Sequence, residues 1–212
     1  MDKTNKTIET YNLHASDFEL KFMDFESYNN KVKDFCKMIK SQARVLDIGC
    51  GPGNVAKILA ESEKKFEVLG IDLSSEMIKR ASVNVISPRV HFLVCDIRSM
   101  GLERKEYDAV IASFCLPHLT NNEAAKLIKD VSLVLVKGGF LYLSCMEGSK
   151  SGFETTSFSP NEVVFFNYYS EEFIQRELTK NNLRTIKLQR EIYNESDGSE
   201  TTDMFFFIEK SI

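Results

Sequence analysis

A basic stripe is missing from this chain, whose 212 residues carry a formal net charge of −4. Binding to a nucleic-acid backbone therefore has no electrostatic footing. Long apolar runs are missing too. No stretch approaches membrane-spanning length, and Met1-Asp2-Lys3-Thr4-Asn5-Lys6 has no apolar signal core. Cys36, Cys50, Cys95, Cys115 and Cys145 form no C-x-x-C pair and are odd in number. Most sit in apolar stretches, where a reduced thiol behaves as a small hydrophobe. His14 and His91 have no second ligand at metal spacing, so no metal is expected. Internal repeats and low-complexity linkers are also lacking. What is present is 43% apolar content, enough for a substantial core. The expectation is a cytoplasmic enzyme built as one domain over residues 1–212, without nucleic-acid or membrane partners.

Short apolar runs alternate with helical patterns, the signature of a parallel sheet covered on both faces. Strands are predicted at Arg44–Ile48, Glu67–Asp72, Val90–Cys95, Tyr107–Ser113 and Gly139–Cys145. Helices are predicted near Val55–Ser62, Ser75–Asn84 and Asn121–Val136, the last opened by the capping box Thr120-Asn121-Asn122-Glu123. Residues 8–40 read as one or two amphipathic helices, with Phe18, Phe22, Phe25, Val32, Phe35 and Ile39 near helical spacing. They are expected to cover the sheet or its ligand. A helix over about Ser170–Lys180 leads to two β-rich runs, Thr185–Tyr193 and Thr202–Lys210. Asp197-Gly198 between them is a strong hairpin signal.

The most informative stretch is Val45-Leu46-Asp47-Ile48-Gly49-Cys50-Gly51-Pro52-Gly53-Asn54, an apolar strand that ends in an acid and breaks into three alternating glycines. Glycine reaches positive φ and lets a ligand lie against the main chain. The helix that follows points its free N-terminal amides at whatever the loop holds. Two further acids stand at strand ends, where open parallel sheets bind ligands. Asp72, nineteen residues beyond Gly53, is placed to accept both hydroxyls of a ribose. Asp96 can accept an exocyclic adenine amine, with Leu73 and Ile97 supplying flat apolar surface. The rival reading is the dinucleotide fingerprint G-x-G-x-x-G. Starting at Gly49 it needs glycine where Asn54 stands, and starting at Gly51 it meets the tolerated Ala56. Asp96 and the terminal hairpin weigh against it.

These segments resemble the class I S-adenosylmethionine-dependent methyltransferases, especially their small-molecule branch. Gly70-Ile71-Asp72-Leu73-Ser74-Ser75-Glu76-Met77, Val94-Cys95-Asp96-Ile97, Tyr107-Asp108-Ala109-Val110-Ile111-Ala112-Ser113 and Val136-Lys137-Gly138-Gly139-Phe140-Leu141 extend the match. The resemblance implies a Rossmann-like three-layer α/β sandwich, its seven-stranded, mostly parallel sheet ending in an antiparallel hairpin. It implies S-adenosyl-L-methionine as cofactor, with Gly49, Gly51 and Gly53 along the methionine portion, in a loop that also carries Asp47, Cys50 and Asn54. Asp72 would hold the ribose, Asp96 and Ile97 the adenine, and Met77 would pack nearby or serve only the helix core. A tyrosine of the N-terminal region, Tyr11 or Tyr28, would close over the cofactor. A non-catalytic member of the fold that binds cofactor or a protein partner is the second class of function.

Methyl transfer needs an aligned acceptor and exclusion of water, and a base only if the acceptor must lose a proton. His118, in Ser113-Phe114-Cys115-Leu116-Pro117-His118-Leu119, is the candidate base; otherwise its ring simply packs ahead of the capped helix. Ser113 and Phe114 are expected to border the methionine or the adenine. Residues 147–169 form a long connection, read as an acceptor-site flap hinged at Gly148 and Gly152. The competing reading makes Val163–Tyr169 a short strand whose aromatics fill the core. The expected acceptor is a small, flat or partly apolar molecule.

Overall fold

Four consecutive buried residues, Val45 to Ile48, mark β1 (Arg44–Ile48) as a strand covered on both faces. The computed structural model describes residues 2–99, 106–194 and 198–211 and places β1 near the middle of a seven-stranded sheet. Its parallel neighbours are β2 (Glu67–Asp72) and β4 (Tyr107–Ser113). β3 (Val90–Val94) closes one edge beside β2, and β5 (Leu135–Met146) runs parallel to β4. β8 (Leu183–Asn194) and β9 (Glu200–Lys210) complete the order β3-β2-β1-β4-β5-β9-β8, with β9 antiparallel to both β5 and β8. That is the expected sheet with its reversed C-terminal pair. The predicted turn residue Asp197 lies outside the described residues.

Alternation along the strands sends side chains into two cores. Leu46, Ile48, Val110, Leu141 and Leu143 meet Leu127, Ile128 and Val131 of α6 (Asn121–Val134) and Ile174 and Leu178 of α7 (Glu171–Lys180). On the other face, Val45, Ala109, Ile111 and Tyr142 meet α3 (Glu26–Met38) through Val32 and Phe35, and α4 (Asn54–Glu61) through Val55, Ala56 and Leu59. Each fully buried large side chain contributes about 1.5–3 kcal/mol, so a one-residue slip of any central strand would be prohibitive. Short-range capping sets the helix starts. Ser74 caps α5 (Ser75–Asn84), Ser170 caps α7, and the Thr120–Glu123 capping box opens α6.

The observed elements differ from the predicted ones in several places. The N-terminal region holds three helices rather than one or two: α1 (Lys3–Leu13), α2 (Ala15–Phe22) and α3. α6 stops at Val134 and β5 starts at Leu135, ahead of the predicted Gly139, because Leu135 already pairs with Tyr107 before a register shift. β3 ends at Val94, one residue short of Cys95. α4 begins at Asn54, one residue early, behind Gly53. His91 is exposed on the edge strand.

The largest difference lies in residues 147–169. Within them β6 (Ser151–Thr156) and β7 (Ser159–Asn167) pair as a separate antiparallel ribbon, and β7 overlaps the strand read over Val163–Tyr169. Gly152 sits inside β6 opposite Phe166, which corrects its assignment as a hinge. The ribbon is fastened to α1: Thr10 Oγ1 donates to the Val163 carbonyl at 2.9 Å, Phe165 N donates to Thr7 Oγ1 at 3.1 Å, and Lys6 pairs with Glu162. Both threonines are buried, so these bonds are shielded from water. α1, α2 and the ribbon roof the loops that leave β1, β2 and β4. Among the described residues, no helix is long and apolar enough to cross a membrane.

Candidate active site

The glycine loop leaves β1 as a tight hook. Gly49 N and Cys50 N both donate to the Ile71 carbonyl, at 2.8 and 3.0 Å, which ties the loop to β2. Gly49 has φ +67°, and a Cβ there would lie 2.6 Å from Cys115 Cβ, so only glycine lets the loop approach the segment after β4. Gly51 (φ +52°) has a different reason to be glycine. A Cβ on it would meet only Phe18 and Asn54, at 3.7 and 3.8 Å, so this residue presents open main chain to a cavity.

Two cavities open over the strand ends. The smaller, about 150 Å³, is bordered by Asp72, Leu73, Met77, Asp96, Ile97 and Arg98 under Ile8 of α1. The larger, about 590 Å³, runs from Asn54 and the ring of Phe114 to the ribbon and to Asp203 of β9. They share one wall, made of Tyr11, Phe18, Gly49, Gly51, Ser113, Phe114 and His118.

The three strand-end acids differ in environment. Asp72 accepts from Gly51 N and from Ser74 N, both at 2.9 Å, one bond to each oxygen. Each oxygen keeps a lone pair for a further donor. Burial raises its pKa, and backbone donors at Ser74, Gly51 and Leu73 oppose that shift. Asp96 is gripped by Arg98, whose Nε lies 3.0 and 3.1 Å from the two oxygens and Nη2 2.7 Å from the second. That guanidinium holds the carboxyl below its usual range. An adenine amine would thus meet a carboxylate that is already engaged. Asp47 is 1% exposed, and neither oxygen has a hydrogen-bond partner among the described residues. Burial, reinforced by the Asp72 charge, pushes its pKa up to about 8. A cation brought to this loop would return Asp47 to its charged form.

His118 ends a 3₁₀ turn, Leu116–His118, after β4. Its Nδ1 lies 3.0 Å from the Phe165 carbonyl, which can only accept, so Nδ1 carries the hydrogen. Nε2 is then the acceptor for Tyr11 Oη, 3.0 Å away. Burial lowers the histidine pKa to about 4, so the ring is neutral at physiological pH. Burial also raises the pKa of Tyr11, aided by the Asp72 charge, and keeps it a donor.

Of the residues singled out in the sequence, Gly49, Gly51, Asn54, Asp72, Leu73, Met77, Asp96, Ile97, Ser113, Phe114, Tyr11 and His118 line one or both cavities. Asp47, Cys50 and Gly53 do not. Cys50 is buried, with burial raising its thiol pKa, and Gly53 gives α4 its close approach to Ala81 of α5. Arg98, Ile8 and Asp203 line the cavities but were not singled out. The Asp-x-Arg spacing could have flagged Arg98, and an acid among apolar residues in β9 could have flagged Asp203. Among the described residues, no group of three His, Cys, Asp or Glu is arranged to hold a metal ion.

The site fits S-adenosylmethionine in three respects: open main chain at Gly51, remaining lone pairs on Asp72, and an unmatched buried acid at Asp47. The dinucleotide alternative would continue with parallel strands, where this chain has the antiparallel β9.

Residues 45–139 match the methyltransferase domain family. A protein of Invertebrate iridescent virus 6 named as a methyltransferase is 37% identical over 105 residues, which is 50% of this chain and 38% of the viral protein. A ubiquinone/menaquinone biosynthesis C-methyltransferase of Campylobacter jejuni is 28% identical over 166 residues, covering 72% of this chain and 69% of that protein. The chain spans about half or less of the length of the first curated relatives it matches. In fold it is similar to an S-adenosylmethionine-dependent methyltransferase from Methanosarcina mazei, with TM-score 0.73, 20% identity, and coverage of 84% of this chain and 97% of the other. Glycine hook, strand-end acids and sheet order agree with these similarities: residues 45–139 match the methyltransferase domain family, and the chain has the fold of the S-adenosylmethionine-dependent methyltransferases.

Proposed function

We propose that this protein methylates a small organic acceptor seated in the larger cavity, with Tyr11 and His118 holding the acceptor's proton. The carrying observation is the shared wall, where the Tyr11–His118 hydrogen bond lies between the smaller cavity, bordered by Asp72 and Asp96, and the larger chamber. In this reading Asp72 takes the ribose hydroxyls, Leu73, Met77 and Ile97 flank the adenine, and Gly49 and Gly51 lie along the methionine portion. When bound, S-adenosylmethionine supplies a methyl group already activated by its sulfonium. The chain aligns the acceptor and excludes water, which the roof of α1, α2 and the ribbon supports.

The acceptor's hydrogen would bond to Tyr11 Oη. As the acceptor atom gives its lone pair to the methyl group, its proton passes to Tyr11 while the Tyr11 proton passes to His118 Nε2. A histidine held at a pKa of about 4 takes that proton only once methylation has made the acceptor strongly acidic. The quinone-biosynthesis name of the Campylobacter jejuni relative supports a small-molecule acceptor.

The test is transfer from labelled S-adenosylmethionine into fractionated metabolite pools. Label in a small molecule is expected. Tight cofactor binding with no labelled small molecule would favour a non-catalytic member of the fold.

A further inference from the structure

The far end of the larger cavity differs from the wall it shares with the smaller one. Asp203 is 2% exposed and lines the cavity from β9, opposite Met146 of β5. The Tyr28 hydroxyl donates to its Oδ2. Burial and the neighbouring Asp203 charge keep that hydroxyl protonated. Aromatic rings surround the pair: Tyr28 stacks on Phe114 at 4.8 Å between centroids, and Tyr193 lies 6.5 Å from Tyr28. Tyr28, Phe114 and Tyr193 all line the cavity, and Phe205 backs Tyr28 at 5.6 Å. The remaining charged lining residues, Lys150 and Glu154, pair with each other at 3.1 Å beneath the ribbon. Lys31 and Glu191, close behind the rings, also pair. Asp203 places a carboxyl among the rings that line this end, and Lys21 Nζ stands 5.7 Å from the Tyr193 centroid.

A buried carboxylate among ring faces recognises one ligand chemistry well. Ring quadrupoles attract a cation, and the carboxylate adds charge-assisted hydrogen bonds. An anionic ligand would face repulsion there, and a neutral one would forgo both attractions. Phe114 belongs both to this box and to the shared wall, so a molecule held at Asp203 extends toward Tyr11 and His118.

We infer that the acceptor carries a protonated amino group that docks on Asp203 between Tyr28, Phe114 and Tyr193, while a different atom of the same molecule meets Tyr11. This rests on the larger cavity being the acceptor chamber of the proposed methyl transfer.

The experiment measures binding to the full chain saturated with S-adenosylhomocysteine. The probes are aryl- and alkylamines, each matched to the neutral alcohol and the carboxylate of the same skeleton, beginning with phenethylamine, 2-phenylethanol and 3-phenylpropionate. The amine of each matched set should bind more tightly than its partners by about tenfold or more, the low end of what one charge-assisted hydrogen bond to a buried carboxylate contributes. Asp203→Asn should abolish that preference, with retained S-adenosylhomocysteine binding showing that the variant is folded. Tyr28→Phe keeps the carboxylate and a ring face, so it should keep the preference. Equal binding of alcohols or carboxylates by the wild-type chain would overturn the inference without recourse to any variant. A parallel assay with labelled S-adenosylmethionine separates the two readings. Asp203-dependent amine binding with no methyl transfer to any compound would sink the transferase reading and leave the ammonium site standing. Transfer confined to acceptors without an amine, equally fast in Asp203→Asn, would sink the ammonium site and leave the transferase.

Discussion

Tyr11 and His118, 107 positions apart in the chain, meet at 3.0 Å between Oη and Nε2 on the wall common to both cavities. The Phe165 carbonyl on the other side of the imidazole fixes which nitrogen accepts. A roof helix, a strand-end turn and the ribbon thus join in a single hydrogen-bonded chain.

If this chain holds the acceptor's proton, His118→Ala and Tyr11→Phe should each slow transfer by roughly 10²–10⁴-fold with little change in cofactor affinity. With the folded pKa near 4, activity should show no acid limb near 6.5 that His118 could cause. Steady-state rates from pH 5 to 8 decide this. A limb at pH 6.5 that disappears in His118→Gln would mean the ring is solvated and titrates normally.

Asp72→Ala should weaken S-adenosylhomocysteine binding by 10-fold or more, since each charge-assisted bond to a ribose hydroxyl contributes about 1.5–3 kcal/mol. The same change removes the acceptors of Gly51 N and Ser74 N, so Asp72→Asn serves as the milder control. Calorimetry gives both numbers. Unchanged affinity in both variants would leave Asp72 a loop brace and nothing more.

Asp47 makes stability depend on pH. Its pKa rises from 3.8 to about 8 on folding, so between those values the unfolded chain releases a proton that the folded chain keeps. The contribution is complete below the unfolded pKa and is lost as pH rises toward 8, at about 1.4 kcal/mol per pH unit. Asp47→Asn removes this slope. Denaturant titrations at pH 5 and pH 8 should show the variant gaining several kcal/mol on the wild type at the higher pH. A constant difference would mean that the acid is already charged in the folded state.

The loop glycines should separate into two phenotypes. Gly49→Ala forces a Cβ to 2.6 Å from Cys115 Cβ and should lower the melting temperature markedly. Gly51→Ala has room, at 3.7 Å from Phe18, and bears only the strain of φ +52°, about 1–2 kcal/mol. Its main loss should be the stabilisation by S-adenosylhomocysteine, because the methyl occupies the face open to the cavity. Thermal shift with and without ligand distinguishes the two. A full ligand shift in Gly51→Ala would move the cofactor off this face.

The chain by itself determined whatever rests on neighbours a few residues apart. Three glycines after Val45–Ile48, the acids Asp72 and Asp96 at or just beyond the ends of the next two strands, and Thr120 with Glu123 all act within one turn or one strand, so spacing alone places them. The antiparallel C-terminal pair was legible for the same reason, because two β-rich runs flank a short turn signal. Arg98 was missed although it stands two residues from Asp96, since only the 3₁₀ turn Ile97–Ser99 swings the guanidinium onto both oxygens. Docking of the ribbon on α1, the Tyr11–His118 contact and the Tyr28–Asp203 contact were decided by tertiary structure alone. Each joins elements that local pattern leaves free to sit anywhere. Their distances follow from how α1, α2 and α3 pack on the rest of the fold, where many weak apolar contacts act together and no single spacing in the chain records the result.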